Sequence, residues 1–435
     1  MNKFKVINNA TTLINNDFII DPWIYGNLYC NAWSPYPEPK FPKKNLKLIK
    51  HCFISHLHQD HWDLETIKYF DKKVNFYLPN VIFIKVIEVK LKEYGFKNIN
   101  YIDMGKFNQI SKKYSINIVP PLNRYALETD KVDEKDEKAI AIDTGLIVKT
   151  LNDNSNHLLL SDNSPYDYEI YKKYFNTINI ASCFFPYNSY ADDYPLCYDN
   201  FHISQKRKIS MKRNLKREEY LLEFLKKIKP KILIPYSSDF SLNLRKNETY
   251  KIRSSVFLDK YLYSKRIQGF TKIRSVALYE DDDLFYNGKM FSIRIRSNFK
   301  SRTRIRKKIK LTIPKCNKKN NLTDLMSNSL ENCLKRINKY KLNYKEISKW
   351  KLLVRLSKSS QFLFDFKKAS VIKLKNKFPN KKNLLVLNTS KNIFQCILEG
   401  KLHMNNCQIG CYLSWERYPN KFSLNLNNSI NFLHI

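Results

Sequence analysis

The chain has 435 residues, 43% hydrophobic and 14% aromatic, enough apolar mass for two packed cores, which excludes an intrinsically disordered protein. Its 77 Lys and Arg against 40 Asp and Glu leave a net charge of +37, pointing to anionic partners, and no run reaches the ~18 consecutive apolar residues of a membrane helix, so no transmembrane segment is expected. Nine scattered cysteines, odd in number and without a CxxC pair, exclude a Rieske centre and are most simply reduced thiols, and with no apolar secretory core in MNKFKVINNA the expectation is a cytoplasmic setting.

In chain order, Phe18 to Ile20 reads as a strand ending in Asp21, which either supports a nearby site or starts an ordinary turn before Pro22. Leu46 to Ser55 (LKLIKHCFIS) reads as a short buried strand, and the polar cluster His56, His58, Asp60 and His61 begins where it stops. These three His fall within six residues of a chain that has 8 in all. Alternate side chains of an extended segment point the same way, so His56 and His58 can grip one ion. Asp60 and His61, on a tight turn, can face a second ion or the far side of the first. Imidazole with carboxylate suits zinc, iron or manganese, with zinc the first expectation, as one or two ions.

Tyr69 to Tyr94 reads as a helix, and Ala139 to Val148 as an apolar strand pair enclosing Asp143, whose carboxylate needs a partner or a cation. His157 to Asp167 is an apolar strand ending in Asp162, followed by a polar aromatic loop, Phe184 to Phe201, with Tyr187, Ser189, Tyr190 and Tyr194. Such a loop is either structural or a stacking surface for a sugar or nucleotide. Arg217 to Lys229 reads as a charged helix, Lys231 to Pro235 as a buried strand, and Val276 to Tyr279 as a strand before a hairpin at Asn287-Gly288. Alternating strands and helices predict an α/β layer structure for 1–290.

A basic linker, 291–321, follows, and then a smaller α+β unit, 322–435. Leu322 to Leu356 has helical spacing, whereas Ile393 to Ile435 reads as strands with turns at Gly400-Lys401 and Asn405-Asn406. From Phe291 onwards 32 basic residues face 6 acidic ones, so +26 of the +37 lies in this final third. Its densest part, Ile293 to Lys310, could track phosphates of a nucleic acid or an anionic membrane surface.

The HxHxDH run after a hydrophobic strand resembles the signature of the metallo-β-lactamase superfamily. That resemblance implies an αβ/βα sandwich with a metal site at one edge, and hydrolysis of an ester, amide, thioester or phosphodiester. The segment with Asp21, Pro22, Trp23, Gly26 and Trp33, the FFPYNSYADDYPLCYDNF loop and LLEFLKKIKPKILIPYSSDF (Leu221 to Phe240) are similar to segments of a subgroup. That subgroup resembles the metallo-β-lactamase part of CMP-N-acetylneuraminate and UDP-N-acetylmuramate hydroxylases. It implies Asp162 as a bridging ligand, Asp21 behind the ligands as acceptor for a His ring, and Tyr187, Ser189, Tyr190 and Tyr194 as a substrate loop.

Two ligands of the superfamily pattern are missing. Asn123 is the nearest polar residue to the third, and Pro235 to Asp239, where the last is expected, holds no His; His202 is a further candidate. The expectation is therefore a metal-dependent hydrolase with ligands His56, His58, Asp60, His61 and Asp162, in which Asp60 and His61 act in catalysis. Its substrate is an anionic small molecule, a sugar nucleotide or surface-polysaccharide precursor. A hydroxylase-like reaction would require a redox partner, because the chain lacks its own Rieske centre. The competing readings are an RNA-processing nuclease of the same superfamily and a non-enzymatic module with a degenerate metal site.

Overall fold

A computed structural model describes residues 1–81, 84–121, 143–162, 168–187, 194–237, 239–243, 259–296, 312–317, 320–375 and 378–434. The first sheet has eight strands: β1 (Asn2–Asn8), β2 (Thr11–Ile14), β3 (Phe18–Ile20), β5 (His51–Phe53), β6 (Asn75–Pro79), β7 (Ile99–Ile102), β15 (Asp283–Tyr286) and β16 (Phe291–Arg294), in the order β16-β15-β1-β2-β3-β5-β6-β7. The second has six, β8 (Phe107–Gln109), β9 (Tyr114–Val119), β10 (Gly145–Thr150), β11 (Ser155–Leu159), β12 (Ile180–Pro186) and β13 (Ile232–Tyr236), in the order β13-β12-β11-β10-β9-β8. A short ribbon pairs β4 (Trp33–Pro35) with β14 (Phe240–Leu242).

Strand periodicity makes the layers. Successive residues of a strand face opposite sides, and these strands are apolar on both. Phe18 and Ile20 of β3 and Phe53 of β5 enter one cluster with Ile116 and Ile118 of β9, Leu146 and Val148 of β10 and Ile232 and Ile234 of β13, which fills the space between the two sheets. Ile19 and Cys52 face the other way, onto Leu46, Ile67, Ile87 and Leu91 of the helices Lys43–Leu46, Leu64–Ile67 and Lys85–Glu93. On the second sheet Ile147, Leu158 and Leu233 meet Phe175, Leu221, Phe224 and Ile267 of the helices Tyr168–Phe175, Ile203–Ile228 and Lys260–Thr271. The result is helices, sheet, sheet, helices: the expected αβ/βα sandwich.

The sequence motif at Trp23 and Gly26 has a packing reason. Trp23 is fully buried and its indole N–H donates to the Gly26 carbonyl at 2.6 Å. The Gly26 amide donates to Asp63, which also accepts from the Thr66 amide and hydroxyl at the start of its helix. A Cβ at Gly26 would run into the Asp63 carboxylate. Gly26→Ala is therefore expected to cost about 1–3 kcal/mol of stability by overpacking, read from the denaturant midpoint.

A third sheet, β17 (Lys351–Ser357), β18 (Ser360–Asp365), β19 (Ser370–Lys373), β20 (Leu384–Asn388) and β21 (Ser414–Tyr418), has the order β19-β18-β17-β20-β21 and its own apolar cluster with the helix Leu322–Lys339. Tyr194, Cys197 and Tyr198, from the loop after β12, are part of that cluster. No helix among the described residues is long and apolar enough to cross a membrane.

Several expected elements differ. Tyr69 to Tyr94 is not one helix: β6 lies inside it, because NFYLP is aromatic, strand-favouring and closed by proline, and the helix starts only at Lys85. The strand before the histidines is three residues, His51–Phe53, preceded by a helical turn. Val276 to Tyr279 forms no strand, while the hairpin lies just beyond, Asp283–Tyr286 against Phe291–Arg294. From Ile393 onwards the described chain forms helices in place of most of the expected strands: Lys391–Leu398, Met404–Ile409 and Leu424–Ile430, with one strand, β21. Ser390 and Ser423 cap the first and last of these helices, and Asn405-Asn406 lies inside the second.

Candidate metal centre

β3 and β5 are parallel neighbours, Phe18 opposite His51 and Ile20 opposite Phe53, so Asp21 and the Ser55–His61 loop leave the first sheet side by side. β11 to β13 are parallel in the second sheet, and Ser161, Asp162 and Ser237 follow β11 and β13. Carboxyl ends of parallel strands from both sheets thus meet at one edge, the usual place for a site in α/β folds.

The histidines converge there. His56 Nε2 is 2.9 Å from His58 Nδ1, 3.7 Å from Asp143 Oδ1 and 3.8 Å from Asp162 Oδ2. His61 Nε2 is 3.3 Å from both Asp162 Oδ2 and Asp60 Oδ2. Among the described residues, two groups have potential ligand atoms within 4.8 Å of one another, His56 with His58 and Asp143, and His56 with His61 and Asp162. Asp143 is thus brought into the cluster, at the leading edge of β10, where the hydroxyl of its neighbour Thr144 donates to the Ser55 carbonyl at 2.7 Å.

Buried oxygens orient this set. Asp21, at φ 48°, accepts from the Ser55 amide (2.7 Å), the Ser55 hydroxyl (2.8 Å) and the Ser161 hydroxyl (2.7 Å), and lies 3.0 Å from His61 Nδ1. That fixes His61 so that Nε2 faces Asp60 and Asp162. Ser55 Oγ is 2.9 Å from His56 Nδ1, leaving Nε2 turned to the cluster. Asp60 accepts from the Tyr29 hydroxyl at 2.6 Å and from the Asn9 carboxamide at 3.1 Å. Asp162 accepts from the Ser237 hydroxyl at 2.7 Å, so a serine stands in the window where the last ligand was expected.

Burial and neighbouring charge set the protonation. Burial, helped by His61, pushes His56 down to about 4, so its ring is neutral at pH 7. Burial opposes a charge on His61 as well, but Asp162, Asp60 and Asp21 outweigh it and push its pKa well above the ordinary value. Asp60 would be raised by burial, yet His61 draws it below the usual carboxylate range. Burial and then Asp60 keep the Tyr29 hydroxyl protonated as a donor. Four carboxylates facing three imidazoles in a largely buried cluster want a cation, and the mixture of imidazole nitrogen and carboxylate oxygen fits a divalent one.

Other expected residues lie elsewhere. The Tyr187 hydroxyl donates to Asp239 at 3.0 Å, and the buried Tyr194 ring lies beneath the guanidinium groups of Arg213 and Arg417. Ser189, Tyr190 and Asn123 are outside the described residues, as is most of Ile293 to Lys310. His202 is exposed and heads the helix Ile203–Ile228, in neither cluster. His157 is buried between Ser182 and Thr150 in the core. Asn9 and Tyr29 were missed because a lone hairpin Asn and a loop Tyr carry no ligand pattern.

No protein-family model matches the sequence, and no curated protein matches it. Among solved structures, similarity is found to an isothiocyanate hydrolase from Delia radicum gut bacteria (14% identity, 66% of this chain and 99% of that one, TM-score 0.43). A possible metal-dependent hydrolase from Veillonella parvula DSM 2008 is similar at 13% identity over 65% of this chain and 98% of that one, TM-score 0.41. The metallo-β-lactamase fold protein YhfI from Bacillus subtilis is similar at 9% identity over 64% and 97%, TM-score 0.36.

Proposed function

We propose that the chain is a metal-dependent hydrolase whose ion or ions are held by His56, His58, Asp60, His61 and Asp162, joined by Asp143 in place of the third imidazole. The observation that supports this above all others is the convergence of three imidazoles and two carboxylates, Asp143 and Asp162, at one sandwich edge in two groups of three, each within 4.8 Å, with Asp60 beside His61 at 3.3 Å. A bound divalent ion supplies Lewis acidity and lowers the pKa of water from ~15.7 towards ~7. The residues of the chain do the rest. Ser55 and Asp21 hold the His56 and His61 rings with Nε2 turned inwards. Asp60, fixed by Tyr29 and Asn9, orients the attacking water and accepts its proton.

Zinc is the first expectation for the metal, with iron or manganese as alternatives. The substrate is anionic, a sugar nucleotide or surface-polysaccharide precursor, a reading supported by the net charge of +37, which draws anions by long-range attraction. The nine cysteines, scattered and without a CxxC pair, support reading the setting as cytoplasmic. For the division into 1–290, 291–321 and 322–435, the third sheet and the helix Leu322–Lys339 support the last unit, whereas β16 carries the first sheet on to Arg294 and Tyr194, Cys197 and Tyr198 join the C-terminal cluster.

Protein stripped by chelation and reconstituted with zinc, iron(II) or manganese is to be assayed on phosphodiesters, thioesters and sugar nucleotides. Turnover restored by one ion is the expected result; no ion bound and no turnover with any of them contradicts the reading. Asp143→Ala is expected to weaken binding by about 10- to 100-fold or more, since even residues behind the ligands carry that much. Unchanged affinity in competition with a chromophoric chelator removes Asp143 from the ligand set.

A further inference from the structure

His58 uses its two ring nitrogens in opposite directions. Nδ1 points into the cluster, 2.9 Å from His56 Nε2, while Nε2 lies 3.1 Å from Asn405 Nδ2, the nitrogen end of its carboxamide. Asn405 is 347 residues away, in the helix Met404–Ile409. A histidine that ligates through Nδ1 carries its proton on Nε2 and needs an acceptor there, which fixes both tautomer and ring orientation. A carboxamide meets that need by turning its oxygen to the ring, a flip that exchanges two groups of nearly equal shape.

The helix that carries Asn405 is seated firmly. Met404 and Cys407 are buried in the cluster of the third sheet, and Ile409 packs with Trp23, Tyr29 and Trp33 of the sandwich. The Tyr412 hydroxyl donates to the carbonyls of Tyr29 and Cys30, and the Thr312 amide donates to the Cys30 carbonyl at 3.1 Å. Tyr29 in turn donates to Asp60. Two separate routes therefore run from the C-terminal third into the ligand set, one through Asn405 to His58 and one through Tyr412 and Tyr29 to Asp60.

We propose that the C-terminal third completes the metal centre: Asn405 is the positioning residue of His58, and metal loading and seating of the helix Met404–Ile409 on the sandwich stabilise each other. This rests on the metal reading above. The test measures zinc and cobalt(II) affinity of the full chain, the cobalt(II) absorption spectrum and melting of the metal-free protein, for the native sequence, Asn405→Ala and Asn405→Asp. Loss of the acceptor in Asn405→Ala is expected to weaken binding by about 10- to 100-fold, with a changed cobalt spectrum and little change in metal-free melting. Asn405→Asp keeps an oxygen acceptor and holds native affinity or better. Equal affinity in all three proteins overturns the inference and leaves the metal centre standing, as does an equal loss in both variants, which marks Asn405 as packing alone. A native protein that binds neither ion overturns the metal reading itself, and this inference with it.

Discussion

His56→Ala is expected to lower affinity for a divalent ion by more than about 100-fold, the largest loss of any single substitution in the cluster, because changes behind the ligands already cost about 10- to 100-fold. Among the described residues His56 is the member common to both ligand groups, facing both through Nε2, so its removal breaks both at once. The ring is fully buried, neutral at pH 7 and held by Ser55, so its lone pair is available without proton competition. His58→Ala is the matched comparison. It breaks only the group with Asp143 and leaves His56, His61 and Asp162 in place, so its loss is smaller. Equilibrium titration of both variants with zinc checks the order; equal losses, or a greater loss in His58→Ala, would show that the two groups do not share His56.

The second large effect is on stability. Asp21→Ala is expected to cost about 3–5 kcal/mol, the range for removing one partner from a buried charged network. Three donors converge on this wholly buried carboxylate, and His61 Nδ1 lies against it. Without it the Ser55 amide and hydroxyl and the Ser161 hydroxyl lose their shared acceptor. The backbone adds to the loss, because φ is 48° at Asp21 and alanine tolerates that region less well than aspartate. Asp21→Asn keeps the shape but trades an acceptor oxygen for a donor and falls between the two. Urea unfolding measures both; a loss under about 1 kcal/mol in Asp21→Ala contradicts the network.

The parts of this site that follow a strong local pattern were legible in the sequence. His56, His58, Asp60 and His61 sit on one loop, and Asp21 and Asp162 end or follow apolar strands, so spacing alone placed them at strand ends. Asp143 was visible only as a carboxylate in apolar surroundings, with a turn as good an account as a site, because the register that brings it to His56 is a property of the assembled sheets. Asn405 was read as a turn residue. The sequence LHMNNCQIG has only Leu, Met and Gln as good helix formers, beside two Asn, and the helix there owes its existence to Met404, Cys407 and Ile409 being buried against other elements. The same holds for β6, where a helical period was assumed through NFYLP and pairing with β5 and β7 decided otherwise.

The most direct measurement is an anomalous-scattering map from crystals of the full chain grown with zinc and recorded at the zinc edge. The account predicts a peak within roughly 2.0–2.2 Å of His56 Nε2 and of a carboxylate oxygen of Asp143 or Asp162, bond lengths usual for zinc. No peak at the carboxyl ends of β5 and β11, or one bound away from these side chains, would contradict it.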